Sequence, residues 1–210
     1  MANLVTLSRL LLLLVVVALS YVQPTPWQFA NFFLIILIFV SDGLDGYLAR
    51  KRNETTLFGA LFDIAGDRIV ELTLWVVAAD TDLVSAWVPL VFIWRGVIVD
   101  TIRSTNAVAH AMAPFALMRS RFGRFIVAGK FVRVLYAVVK ASAFALLALQ
   151  RPFPQYLPEL WSYVGGALTV FTYSLVYLAV LFCVARGVPV VAEFLYSQKD
   201  DSLRRPGKQQ

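Results

Sequence analysis

The chain has 210 residues, of which 60% are hydrophobic and only 15% charged. Soluble domains carry about 25% charged residues, so this composition excludes an ordinary soluble fold and points to lipid as the solvent. A surplus of 19 Lys and Arg over 13 Asp and Glu gives a net charge of +6, but no basic stripe follows a polar element, which argues against a nucleic-acid partner.

In chain order, apolar runs at 5–22, 27–48, 60–79, 84–103, 128–149 and 161–185 each have the length that a membrane-crossing helix needs. The first run has a single basic flank residue, Arg9, and is long, so it reads as a span rather than a cleaved leader. Between the second and third runs stand Arg50, Lys51 and Arg52. Between the fourth and fifth lie Arg103, Arg119, Arg121, Arg124 and Lys130, and Lys199, Arg204, Arg205 and Lys208 follow the sixth. The opposite loops hold a single basic residue, Arg151. Positive charge collects on the cytoplasmic side, which predicts both termini inside. The segment 104–127 is too polar to cross and is expected along the inner surface.

The expected fold is therefore an all-α integral membrane protein with six transmembrane helices. Residues 1–195 form one membrane domain and 196–210 a polar cytoplasmic tail. Trp27, Trp87, Tyr156 and Trp161 stand near the outer span ends, where aromatic anchors belong. Cys183, the only cysteine, lies in an apolar run and reads as a small buried hydrophobe.

The stretch SDGLDGYLARKRNETTLFGALFDIAGD, residues 41–67, breaks this pattern. It places Asp42, Asp45, Asp63 and Asp67 at the inner ends of two antiparallel helices. Spacings of three and four put each pair on one helical face. One Asp at mid-span costs about 2.5–3.5 kcal/mol and four would cost roughly 10, so positive charge has to offset them. Arg50 and Arg68 are candidates for partial neutralisation, which leaves an ion-paired structural cluster as one reading. Oxygen ligands without His or Cys suit a hard cation such as Mg²⁺ or Mn²⁺ instead. Four carboxylates are enough to bridge two ions, the arrangement used for displacement at phosphorus. Gly43, Gly46, Ala49, Gly59, Ala60, Ala65 and Gly66 around them fit either a bulky ligand near the backbone or close helix packing. A metal-ion transporter is a rival from another class, but transport would spread polar groups through the bilayer depth. Here they gather at one face and the outer halves read as dry.

These residues resemble the signature of the CDP-alcohol phosphotransferase family, D-x2-D-G-x2-A-R-x8-G-x3-D-x3-D. Every fixed position is filled, by Asp42, Asp45, Gly46, Ala49, Arg50, Gly59, Asp63 and Asp67. The start NLVTLSR is similar to the family's Asn-x-x-Thr-x-x-Arg opening and would set Asn3, Thr6 and Arg9 near the nucleotide. The resemblance implies six membrane helices, a homodimer, a CDP-linked lipid and two divalent ions. It implies that Asp42, Asp45, Asp63 and Asp67 hold the ions and that Asp67 takes the acceptor's proton. Gly46, Ala49, Arg50 and Gly59 would line the CDP pocket, in a polar cavity on the cytoplasmic side of the cell's inner membrane.

The acceptor is less marked. Arg95, Arg103, Gly129 and Lys130 match a pattern seen in phosphatidylglycerophosphate synthases, which use glycerol 3-phosphate. Gly96, Val132, Arg133 and Tyr136 depart from it. The pair Asp67-Arg68 resembles members that use inositol phosphate. Either acceptor carries a phosphate, for which Arg103, Arg124, Lys130 and Arg133 are candidate partners. The same charges also fit positive-inside bias and contact with anionic lipid. Glycerol 3-phosphate is the favoured acceptor, and inositol phosphate the alternative.

Overall fold

The computed structural model describes the backbone of residues 2–22, 26–52, 57–110 and 129–204, with side chains at 5–22, 26–43, 59, 61–102, 129 and 131–196. Among the described residues every regular element is helical. Helix α1 is Ala2–Tyr21, a 3₁₀ turn at Pro26–Gln28 leads into α2, Phe29–Arg52, and α3 is Leu57–Asp80. Helices α4, Trp87–His110, and α5, Lys130–Leu149, follow. A short α6, Pro152–Tyr156, precedes α7, Pro158–Arg204.

The six long helices have 20, 24, 24, 24, 20 and 47 residues. At 1.5 Å per residue, 20 residues already cover roughly 30 Å, the thickness of a hydrocarbon layer. By apolarity as well as length, three stretches qualify as spans: Pro26–Gly43, Phe131–Tyr156 and Pro158–Tyr196, with Val5–Tyr21 a shorter apolar helix. Helix α3 carries Asp63, Asp67, Arg68 and Glu71 within its first fifteen residues, and α4 carries Arg95, Asp100 and Arg103. Charge, not length, sets these two apart. The outward faces are greasy: Leu14, Phe33, Trp94, Phe131 and Val170 are all more than 60% exposed. In water such faces would aggregate; against lipid they are the expected surface.

The chain divides into two compact units. The first comprises residues 1–89 and 138–178. Trp75 is fully buried with its ring centre 4.4 Å from that of Phe144, and Phe39 stacks on Phe144 at 6.0 Å between ring centres. Polar pins cross this core because helix carbonyls in lipid have no water to bind. Asn31 of α2 donates to Val16 O and Ser20 Oγ of α1, and Arg151 donates to Ser20 O at 3.2 Å. Glu71, Lys140 and Arg68 form a partly buried charge cluster. Lys140 Nζ is 2.7 Å from Glu71 Oε1, and Arg68 Nη1 is 3.3 Å from Glu71 Oε2.

The second unit comprises residues 90–137 and 179–210. Val99 and Ile102 of α4 pack with Val190, Val191 and Phe194 of α7. Arg186 lies over the Tyr136 ring at 5.5 Å. The Arg95 stem presses on Gly187, where an added Cβ would stand 2.9 Å from Arg95 Cγ. Cys183 is buried and outside any disulfide, as its apolar surroundings predicted.

Several boundaries differ from expectation. Helix α7 runs to Arg204, far beyond 185 and into the polar tail, and it contains Pro189. Helix α4 continues to His110, into the stretch expected on the membrane surface. The remainder of that stretch, 111–128, lies outside the described residues.

Candidate active site

The end of α2, the start of α3 and the start of α1 build the site. Asp63 and Asp67 are one turn apart on α3, and Asp42 reaches them from α2. Each of the three offers an oxygen, and these oxygens all lie within 4.8 Å of one another. Their side chains are 34% (Asp42), 53% (Asp63) and 47% (Asp67) exposed. The cluster is thus an open mouth rather than a sealed core. Asp63 and Asp67 share one face of α3, as their four-residue spacing implied; the three-residue pair on α2 includes Asp45, whose side chain lies outside the described residues.

The positive charge comes from an unanticipated direction. Arg9 of α1, itself 3% exposed, sends its guanidinium among the carboxylates: Nη1 is 2.6 Å from Asp42 Oδ1, and Nη2 is 2.8 Å from Asp67 Oδ1. Asp63 Oδ1 lies 3.8 Å from Nη1. Arg68, a candidate for partial neutralisation, donates to Glu71, one turn further along α3. Glu71 is therefore tied to Lys140 and Arg68 as a structural brace beside Asp67. Arg9 belongs to the carboxylate cluster itself; its opening-motif spacing marked the residue but not this partner.

The small residues separate into two kinds. At Gly66 an added Cβ would stand 2.6 Å from Thr6 Cγ2, so this glycine lets α1 and α3 approach, and Thr6 is buried by the contact. At Gly43 nothing lies within 4 Å of such a Cβ, which leaves open space next to Asp42. Gly59 is half-buried at the start of α3. The side chains of Asn3, Asp45, Ala49 and Arg50, and the surroundings of Gly46, lie outside the described residues, although α1 and α2 include their backbone. Of the expected acceptor-phosphate residues, Arg133 is described, on α5 in the second unit. The side chains of Arg103, Arg124 and Lys130 lie outside the described residues.

The donor set fits a hard divalent cation. It consists of carboxylate oxygens, close enough to share one ion, with three negative charges facing one guanidinium. The sequence could not place the buried Arg186, whose guanidinium on the Tyr136 ring is a tertiary contact across 50 positions of the chain.

The family model described as CDP-alcohol phosphatidyltransferase matches residues 1–184. Similar proteins include the CDP-diacylglycerol–glycerol-3-phosphate 3-phosphatidyltransferases of Escherichia coli K12, 32% identical over 108 residues, and Wigglesworthia glossinidia brevipalpis, 30% over 105. The protein of that name from Rickettsia typhi is 27% identical over 112 residues. These matches cover 50%, 49% and 53% of this chain and 59%, 57% and 63% of the respective relatives. The chain thus spans less than two thirds of the length of the relatives it matches. With the signature filled, its carboxylates converging and the family model covering residues 1–184, the chain belongs to the CDP-alcohol phosphatidyltransferase family.

Proposed function

We propose that the chain transfers the phosphatidyl group of CDP-diacylglycerol to glycerol 3-phosphate, giving phosphatidylglycerol phosphate and CMP. The observation that carries this reading is the convergence of Asp42, Asp63 and Asp67 from two helices within one signature. The names of the three relatives support the acceptor.

Members of the family use a divalent metal, and here Asp42, Asp45, Asp63 and Asp67 would hold two Mg²⁺ or Mn²⁺ ions. When bound, such ions neutralise the diphosphate and the charge left on departing CMP. Gly46, Ala49, Arg50 and Gly59 line the nucleotide pocket with Asn3 and Thr6 at its end, and Arg50 meets the diphosphate as a planar fork of donors. Asp67 accepts the proton of the acceptor hydroxyl. That oxygen attacks the β-phosphorus, the bond to the bridging oxygen breaks, and CMP leaves with the bonding pair. Arg103, Arg124, Lys130 and Arg133 supply charge for the acceptor phosphate.

Six helices of sufficient length and the basic loops support six spans, with both termini and the cavity facing the cytoplasm across the inner membrane. The working form is a homodimer. Inositol phosphate remains the second acceptor, on the strength of the Asp67-Arg68 pair. The test is CMP release from CDP-diacylglycerol and Mg²⁺ by the purified chain, with glycerol 3-phosphate, inositol phosphate and serine offered separately. Release with glycerol 3-phosphate alone supports the proposal, and release with inositol phosphate alone transfers it to the alternative. No release with any acceptor, together with Mn²⁺ flux into vesicles, supports a transporter instead.

A further inference from the structure

Arg9 occupies a chemically conflicted position. Its Nη1 and Nη2 engage Asp42 and Asp67 at 2.6 and 2.8 Å, and Asp63 lies 3.8 Å from Nη1. These are the carboxylates assigned above to divalent ions. A lone pair given to a charge-assisted N–H is less available to a metal, and a guanidinium at this range repels a second cation. The side chain is also held. It is 3% exposed, and one turn earlier on the same helix Thr6 packs tightly on Gly66. The buried Nε has no hydrogen-bond partner, so the tip, not the stem, anchors this side chain. Arg9 therefore performs one task and opposes another: it keeps three like charges together on α2 and α3, and it competes for their oxygens. A bound diphosphate shifts that balance. Its negative charges attract divalent ions to the same mouth and give a guanidinium another anion to meet.

We propose that Arg9 is a tethered competitor for the ion site: it holds the ion-free carboxylates together and makes divalent-ion retention depend on a bound nucleotide diphosphate. This rests on the reading of Asp42, Asp63 and Asp67 as ion ligands. It makes Arg9 a positioning residue that sets the order of loading.

The experiment measures Mn²⁺ binding to the full chain in detergent by the electron paramagnetic resonance of free Mn²⁺, with and without CDP. Wild type is expected to bind Mn²⁺ weakly alone and about tenfold more tightly with saturating CDP, within the ordinary range of coupling between two ligands. Arg9→Gln is expected to bind Mn²⁺ about tenfold more tightly without CDP and to lose most of the CDP dependence. If that variant does not fold, Arg9→Lys is decisive. Its compact ammonium cannot bridge Asp42 and Asp67 as a planar fork does, so affinity without CDP should rise and the CDP dependence should shrink. Unchanged affinity in a folded variant, or a wild type insensitive to CDP, overturns the competitor role alone. Wild type that binds no Mn²⁺ under either condition overturns the ion-ligand reading and this inference with it.

Discussion

Asp63 and Asp67 project from successive turns of α3 toward Asp42, so exchanging one carboxylate for an amide removes an anionic ligand while keeping its volume. Asp63→Asn is expected to lower CMP release by at least about a hundredfold, beyond the 10–100-fold typical of groups that only support a ligand, with the thermal melt retained. Substantial residual turnover would count against the ion assignment. Gly66 offers a different test. A methyl there meets Thr6 Cγ2 at 2.6 Å, and overpacking of this kind costs about 1–3 kcal/mol. Gly66→Ala should lower the melting temperature and reduce activity, because α1 carries Arg9 into the site. The carboxylates were legible in the sequence because helical spacing alone aligns 63 with 67 and 42 with 45. The opening motif marked Arg9 but not its ion pairs, since its partners lie 33 to 58 positions away and no local period encodes that distance.

Helix ends and helix pairs bring further tests. Helix α3 closes with Asp82 at a φ of 58°, Leu83 N–H donating to Ala78 O at 2.8 Å and Asp82 N–H to Ala79 O at 3.1 Å. This is a left-handed C-terminal cap, a place glycine normally fills. Asp82→Gly should therefore raise stability by about 1 kcal/mol, read as a higher melting temperature with activity unchanged. Glu71 and Lys140 join α3 to α5 at 2.7 Å, both largely buried. Removing one partner of such a pair costs about 3–5 kcal/mol because a buried charge is left uncompensated. Lys140→Met should destabilise by that order, and adding Glu71→Leu should recover much of the loss; denaturation of the two variants checks it. Element existence was readable from apolar runs, whereas the extent of α7 was not. Its last residues, SQKDDSLR, are polar enough to end a hydropathy-based span, yet nothing in them forbids a helix. The charges of α3 and α4 have the opposite effect: their apolar runs are legible at 60–79 and 84–103, yet neither helix is apolar enough to qualify as a span by length and composition.

Over the whole molecule, burial of the sole native thiol, Cys183, makes introduced cysteines clean reporters of sidedness. In intact cells a membrane-impermeant maleimide should label Ser85→Cys, in the turn between α3 and α4. Ser202→Cys, near the end of α7, should react only after the membrane is opened. The reverse pattern would invert the proposed topology. The core of the first unit is not close-packed throughout. A cavity of about 50 Å³ lies among Ser20, Gln28, Asn31, Thr81 and Arg151, and the buried Gln28 Oε1 and Asn31 Oδ1 have no hydrogen-bond partner. A chamber of that size and polarity accommodates a few water molecules, each able to donate to such oxygens. Lipid-embedded helices would then flank a small wet recess at the end remote from chemistry, where deuterium uptake would betray its opening.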